Sequence, residues 1–151
     1  GVKLSLGRNY SWWKEVRVER FSMTVRTSSR FEVVDVTDRI QEGLRSLGAS
    51  EGIALISVPH TTAAVTVNEA EPGLMQDIVD AAKGLFNPQG PWKHNLVDDN
   101  AHAHLTSVFI GPSVCLPVEG GRLRLGTWQR VLLVEMDGPR TRTVEVRYLG
   151  L

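Results

Sequence analysis

Apolar and polar positions alternate at both ends of this chain, which predicts strands there and helices between them. Val16, Val18, Phe21, Met23 and Val25 mark the first strand. Their phase slips by one residue between Val18 and Phe21, which predicts either a bulge or a change of buried face. A short strand from Phe31 to Val36 follows. Ile40, Leu44 and Leu47 then recur at helical spacing behind the N-cap candidates Thr37 and Asp38, and Gly48 is placed to end that helix. Ile53 to Val58 is nearly continuous apolar sequence, as in a central strand, and Thr62 to Asn68 reads as another strand. Pro72 opens a second helix with Leu74, Ile78, Ala81, Ala82 and Leu85 on its apolar face, and Asn87-Pro88-Gln89-Gly90-Pro91 stops it.

From Asn87 to about Ala101 no period is visible, and a loop of that length in a compact domain is often functional. A short helical segment from His104 to Ile110 is expected next. The remaining residues alternate again. Val114, Leu116 and Val118 lead to a turn at Glu119-Gly120-Gly121. Leu123, Leu125, Trp128, Leu132, Val134 and Met136 lead to a second turn at Asp137-Gly138-Pro139, and Thr141 to Leu149 closes the sheet. That is a β-meander. Strands outnumber helices and the helices fall in the middle, so the fold class is α+β with a mostly antiparallel sheet.

The chain has 151 residues, which suits one domain spanning 1–151. Lys+Arg and Asp+Glu both number 17. That balance argues against a general nucleic-acid or anionic-membrane binder, which needs positive excess to neutralise phosphates. No segment approaches the roughly 20 apolar residues that span a bilayer. Gly1 to Arg20 lacks the apolar core of a signal peptide. The single cysteine, Cys115, cannot form an internal disulfide and alternates with Val114 and Leu116, as a small half-buried strand residue would. A soluble cytoplasmic protein is the expectation.

All four histidines lie between His60 and His104, with His94 and His102 between. Three neutral imidazoles converging on a point would bind Zn²⁺ or a similar ion and leave a position open for water or substrate. Four unrelated loop histidines account for the spacing equally simply. His102-Ala103-His104 offers two ligands from an extended segment but only one from a helix. Glu69 is a candidate ligand, orienting carboxylate or general acid/base, and equally a helix-entry acid ahead of Pro72. Thr61, Thr62, Ser107 and Thr127 carry hydroxyls that can donate to a phosphate, and Arg140 and Arg142 can neutralise one. Gly126-Thr127-Trp128-Gln129 marks either close approach of a ligand or a bulge against Trp128. Glu135 shares its strand face with Val131 and Leu133. If that face is buried, Glu135 needs a partner, and Arg140 and Arg142 lie across the hairpin; a solvated face is the alternative. No Walker A loop, Rossmann glycine fingerprint, paired-cysteine zinc motif or Gly-x-Ser-x-Gly elbow is present.

Several motifs follow one another in a distinctive order: His60-Thr61-Thr62-Ala63-Ala64, Asn68-Glu69, His94, Asp99-Asn100-Ala101 with Ala103-His104-Leu105, Gly111-Pro112-Ser113, Gly126-Thr127-Trp128-Gln129 and Asp137-Gly138-Pro139-Arg140. This series resembles the YjbQ family of secondary thiamine-phosphate synthase-type proteins, over about Val16 to Tyr148. The resemblance implies an α+β fold with two main helices on one side of a β-layer. It also implies a homotrimer whose sheets pack about a threefold axis, with the site near a subunit boundary. It implies a weak thiamine-phosphate synthase activity, in which a pyrimidine diphosphate joins a thiazole phosphate with loss of pyrophosphate. On that reading His60, Glu69, His94 and His104 are catalytic, and His60, His94 and His104 hold a divalent metal, with zinc preferred. Thr61, Thr62, Asn68, Asp99, Asn100, Ser107, Thr127, Gln129 and Arg140 would contact the phosphorylated ligand. A metal- or ligand-binding protein without physiological catalysis and a metal-assisted phosphoester hydrolase are the alternatives. The chain departs from the family pattern at His102, and residues 1–15, with Trp12 and Trp13, form an expected N-terminal extension.

Overall fold

Val131 to Met136 is apolar on both faces of its strand except at Glu135, and the fold is built around that strand. A computed structural model describes residues 16–151; the expected extension, residues 1–15, lies outside them. The elements run β1 (Arg17–Arg26), β2 (Glu32–Asp35), α1 (Thr37–Ser46), β3 (Gly52–Ser57), β4 (Ala63–Asn68), α2 (Pro72–Leu85), a 3₁₀ turn (Lys93–Leu96), α3 (Ala101–Ile110), β5 (Ser113–Glu119), β6 (Arg122–Leu123), β7 (Arg130–Glu135) and β8 (Thr141–Gly150). The strands form a five-stranded sheet, β1-β8-β3-β5-β6, and a three-stranded sheet, β2-β7-β4. Every pairing is antiparallel.

Three layers result. Val25, Ile56, Val144, Val146 and Tyr148 of the larger sheet meet Val65, Val131 and Leu133 of the smaller one, and Ile40 and Leu44 of α1 close this core. The other face of the smaller sheet presents Ala64, Val134 and Met136 to Ala82 of α2 and Ala103 of α3. β7 is therefore covered on both sides, which is why Val131 to Val134 is a continuous apolar run. The fold is α+β, and α2 and α3 share one side of the β-layers.

The phase slip in β1 is a change of face and not a bulge. β1 pairs with β8 without interruption from Arg17↔Gly150 to Arg26↔Thr141. Phe21, Met23 and Val25 point into the core, and Val18 is 69% exposed on the outer face. β3 also differs from a doubly buried strand. Ala54 and Ile56 are fully buried, whereas Ile53 and Leu55 face outward and are 44% and 39% exposed. Cys115 stands opposite Leu55 and is exposed rather than half-buried, because Val114, Leu116 and Val118 take the inner face of β5. The expected β-meander is not formed: β5 pairs with β3 and β6, β7 with β2 and β4, and β8 with β1 and β3, so the Asp137-Gly138-Pro139 turn carries the chain from one sheet to the other. The earlier turn is where the glycines place it: Gly120 and Gly121 both have positive φ, 56° and 78°, which suits residues without a Cβ. No described helix is long and apolar enough to cross a membrane.

Candidate functional site

The two turns that the sequence places after β3 and β7 come together at one end of the sandwich. Pro59 to Thr62, Asn100 and His104 of the α3 region, and Asp137 and Pro139 to Arg142 of the β7–β8 connection line an open, polar cleft of about 720 Å³. Beneath it lies a buried ion pair. Glu135 is 0% exposed and Arg142 3% exposed. Arg142 donates to both Glu135 carboxylate oxygens, at 2.9 Å from Nε and through Nη2. Thr27 Oγ1 donates to Oε1 at 2.8 Å and the Asp137 N–H to Oε2 at 3.2 Å. Nη2 also reaches the Thr62 carbonyl at 3.2 Å and hydroxyl at 3.0 Å. Both carboxylate oxygens and the Nε and Nη2 groups facing them are engaged, as a buried charge requires. Glu135 thus takes the buried alternative, with Arg142 as its partner; the two lie on strands of different sheets and not across a hairpin, and the pair ties the sheets and the Thr62 loop together.

His60 stands over this pair, half-buried. Its Nε2 accepts a hydrogen bond from the Thr143 backbone N–H at 2.9 Å. Burial, and then the nearby Arg142 guanidinium, hold its pKa below the ordinary histidine value. A second set of bonds runs across the cleft wall. The Asn100 amide donates to Asp137 Oδ2 at 2.9 Å, and Arg140 Nη2 donates to the same oxygen at 3.1 Å. Asn100 Oδ1 lies 3.0 Å from His94 Nε2. Burial by itself pushes the Asp137 carboxyl up, but Asn100, Arg140 and Arg142 together bring it below the usual value. The His94 and His104 rings meet edge to face with centroids 4.7 Å apart. His104 also lines a second, largely apolar cavity of about 550 Å³, with Pro91, Trp92, Leu105 and His94.

Of the residues proposed from sequence, His60, Thr61, Thr62, Asn100, His104 and Arg140 share the polar cleft, and His94 adjoins it. The others do not join them within the chain. Asn68 pairs with Arg130, at the opposite end of the β4–β7 pair from Ala63 and Glu135. Five strand steps at about 3.4 Å separate the two ends by about 17 Å. Glu69 and Thr127 line a different cavity with Asp35, Trp128 and Arg130. Gly126 lies in a turn and not in a strand: Gln129 closes that turn, its Oε1 accepting from the Gly126 N–H at 2.8 Å. Ser107 is buried and donates to the Ala63 carbonyl at 2.9 Å, fastening α3 to β4. Asp99 is exposed, and its carbonyl accepts from Arg30. Asp137 and the Thr143 backbone were missed as site groups. An Asp before Gly-Pro reads as a turn former, and a backbone donor leaves no mark in sequence.

α3 begins at Ala101, earlier than the sequence pattern places it, so His102 and His104 diverge. His102 is fully buried behind the cleft. Its Nε2 meets the Met136 carbonyl at 3.1 Å, its ring lies edge-on to Phe31, and its Nδ1 has no partner. Burial pushes its pKa down.

The donor set does not fit the zinc site that the resemblance implies. Among the described residues no three His, Cys, Asp or Glu side chains gather where they could hold an ion. The Nε2 of His60 is already filled by a backbone N–H, and that of His94 by Asn100.

The three-layer fold with this cleft defines a class known from sequence. Residues 21–151 match the family model described as UPF0047 protein YjbQ-like. A UPF0047 protein of Archaeoglobus fulgidus is 44% identical over 127 residues, covering 84% of this chain and 98% of that protein. The UPF0047 protein YugU of Bacillus subtilis is 39% identical over 133 residues, covering 85% and 98%. Among solved structures, a hypothetical protein from Aeropyrum pernix K1 has a TM-score of 0.86 at 59% identity, covering 88% of this chain and 99% of that one. A YbjQ-like protein of unknown function from Sulfolobus solfataricus P2 has a TM-score of 0.88 at 46% identity, covering 91% and 100%. The chain belongs to the YjbQ-like UPF0047 family.

Proposed function

We propose that this chain is a transferase of the thiamine-phosphate synthase type, which binds a phosphorylated ring compound in the cleft between His60 and Arg140. The observation that carries the reading is the adjacency of the two cavities. One is polar and rimmed by His60, Thr61 and the half-exposed Arg140; the other is apolar and lined by Trp92 and Leu105; His104 borders both. A phosphate in the first leaves a ring within reach of the second. The two ion pairs cancel their own charge, so the phosphate is met by oriented N–H and O–H donors more than by net charge. The reaction needs negative charge stabilised on the departing pyrophosphate, and donors fixed before reaction do this without reorganisation. His60→Ala is expected to abolish thiamine phosphate formation while leaving the melting transition in place. Wild-type rates in that variant would overturn the assignment.

We also propose a homotrimer closed through the outer face of the five-stranded sheet. Val18, Ile53, Leu55 and Leu149 there are apolar and exposed, and a contiguous apolar face on a sheet is a contact surface. Light scattering at micromolar concentration should give three times the chain mass of 16.7 kDa.

A further inference from the structure

We propose that His60 and His94 are locked in opposite neutral tautomers, so that His60 presents an N–H donor to the cleft and not a metal-binding nitrogen. The assignment follows from which partners can only donate. A backbone N–H has no acceptor form, so the Thr143 N–H at 2.9 Å requires a bare lone pair on His60 Nε2. The one remaining proton of the neutral ring therefore sits on Nδ1. No described group bonds that Nδ1, and it is not among the buried unpartnered atoms, so it opens on the cleft that His60 lines.

His94 is fixed by a longer chain ending in charge. The Asp137 carboxylate can only accept, so the amide nitrogen of Asn100 must face it and Oδ1 must face His94. Oδ1 in turn requires a proton on His94 Nε2, 3.0 Å away. Nδ1 of His94 is left as an acceptor. Arg140, bonded to Asp137 through its side chain and through Nε to the Asp137 carbonyl at 2.8 Å, holds the start of the chain. Arg140, Asp137 and Asn100 are thus positioning residues for the His94 ring.

The consequence for metals is direct. Zinc binds imidazole through a bare nitrogen. To ligate through Nε2, His60 would have to give up the Thr143 bond, and through Nδ1 it would have to lose its only proton. Resting on the proposal that the cleft takes a phosphorylated ligand, His60 Nδ1–H is the donor to one of its non-bridging oxygens.

Two measurements on the full chain separate these statements. In ¹⁵N-histidine-labelled protein at pH 8, two-bond ¹H–¹⁵N correlations, assigned with His→Gln variants, should show the Nδ1–H pattern for His60 and the Nε2–H pattern for His94. The His60 nitrogens should not shift when one equivalent of Zn²⁺ is added. An Nε2–H pattern at His60, or a Zn²⁺-induced shift of its nitrogens, overturns the proposal. Titration with inorganic pyrophosphate is the second measurement. His60→Asn places an amide N–H near the Nδ1 position and should bind within about threefold of wild type. His60→Gln places its amide near Nε2 and should bind about tenfold or more weakly, the effect of losing one hydrogen bond to a charged oxygen. The reverse order overturns the donor role. Wild-type protein that shows the stated tautomers but does not bind pyrophosphate overturns the phosphorylated-ligand reading and leaves the tautomers standing.

Discussion

Replacing Arg142 by Leu would leave Glu135 as a buried charge without a counter-charge. Glu135 is 0% exposed, and after the change only the Thr27 hydroxyl and the Asp137 N–H would still donate to it. Both Arg142 bonds to the carboxylate would go, together with both bonds to Thr62. Breaking a buried pair by removing one partner costs about 3–5 kcal/mol. For a chain of this size each kcal/mol lowers the melting temperature by roughly 2–4 °C, so the expected drop is about 6–20 °C. The exposed pair Arg124–Glu119, at 59% and 61% side-chain exposure, provides the contrast; Arg124→Leu should cost about 0–1 kcal/mol. The double variant Glu135→Leu/Arg142→Leu removes both charges and should recover about 2 kcal/mol or more relative to Arg142→Leu alone. Urea unfolding followed by circular dichroism, at one fixed protein concentration, reads these four proteins and the single variant Glu135→Leu that completes the cycle. A cost below about 1 kcal/mol for Arg142→Leu, or a double variant as unstable as the sum of the singles, would refute the idea that charge burial dominates at this position.

Acid should destabilise the fold in a defined window. The folded-state pKa values of His60 and His102 are both held below the unfolded value near 6.5, so their contribution is complete above about pH 6.5 and is lost as pH falls through the lower folded values. The urea midpoint should fall between pH 7.5 and pH 5, and less steeply in His102→Leu; an unchanged slope in that variant would count against His102 as a source. Arg140→Gln should weaken pyrophosphate binding about tenfold or more while moving the melting temperature little, since its ion pair is half exposed; calorimetric titration and thermal melting check the two halves. Ile53→Glu, placed on the exposed outer face, should convert the proposed trimer to monomer in light scattering, and a trimer that persists places the interface elsewhere.

The α+β class, the helices and the strands of the C-terminal third were legible because each is a matter of local period; the meander was not right, because local period does not say that β7 and β8 belong to different sheets. β7 announced itself as doubly buried because five of the six positions from Val131 to Met136 are apolar. Glu135 and Arg142 were legible as a pair because a carboxylate in an apolar run demands a cation, and the short connection at Asp137-Gly138 keeps that cation near, although it joins two sheets and not two paired strands. The exposed second face of β3 was not legible. An apolar run reads the same whether its second face meets a helix, a sheet or nothing in the chain. Glu69, Asn68, Thr127 and Gln129 do not join His60 within one chain, for a topological reason. Motifs that follow one another in sequence sit at opposite ends of an antiparallel pair, and sequence order does not say which end. The tautomer of His60 depends on a backbone amide of β8, 83 residues away, and no side-chain pattern encodes that.

The most direct test is a thiamine phosphate synthesis assay with the purified chain, in the presence and absence of a chelator, beside its His60→Ala variant. The expected result is product formation that the chelator leaves unchanged and that falls about a hundredfold or more in the variant, the scale of losing a charge-stabilising donor. Equal rates in the two proteins, or wild-type activity abolished by the chelator and restored by Zn²⁺, would contradict a cleft that works through oriented imidazole donors.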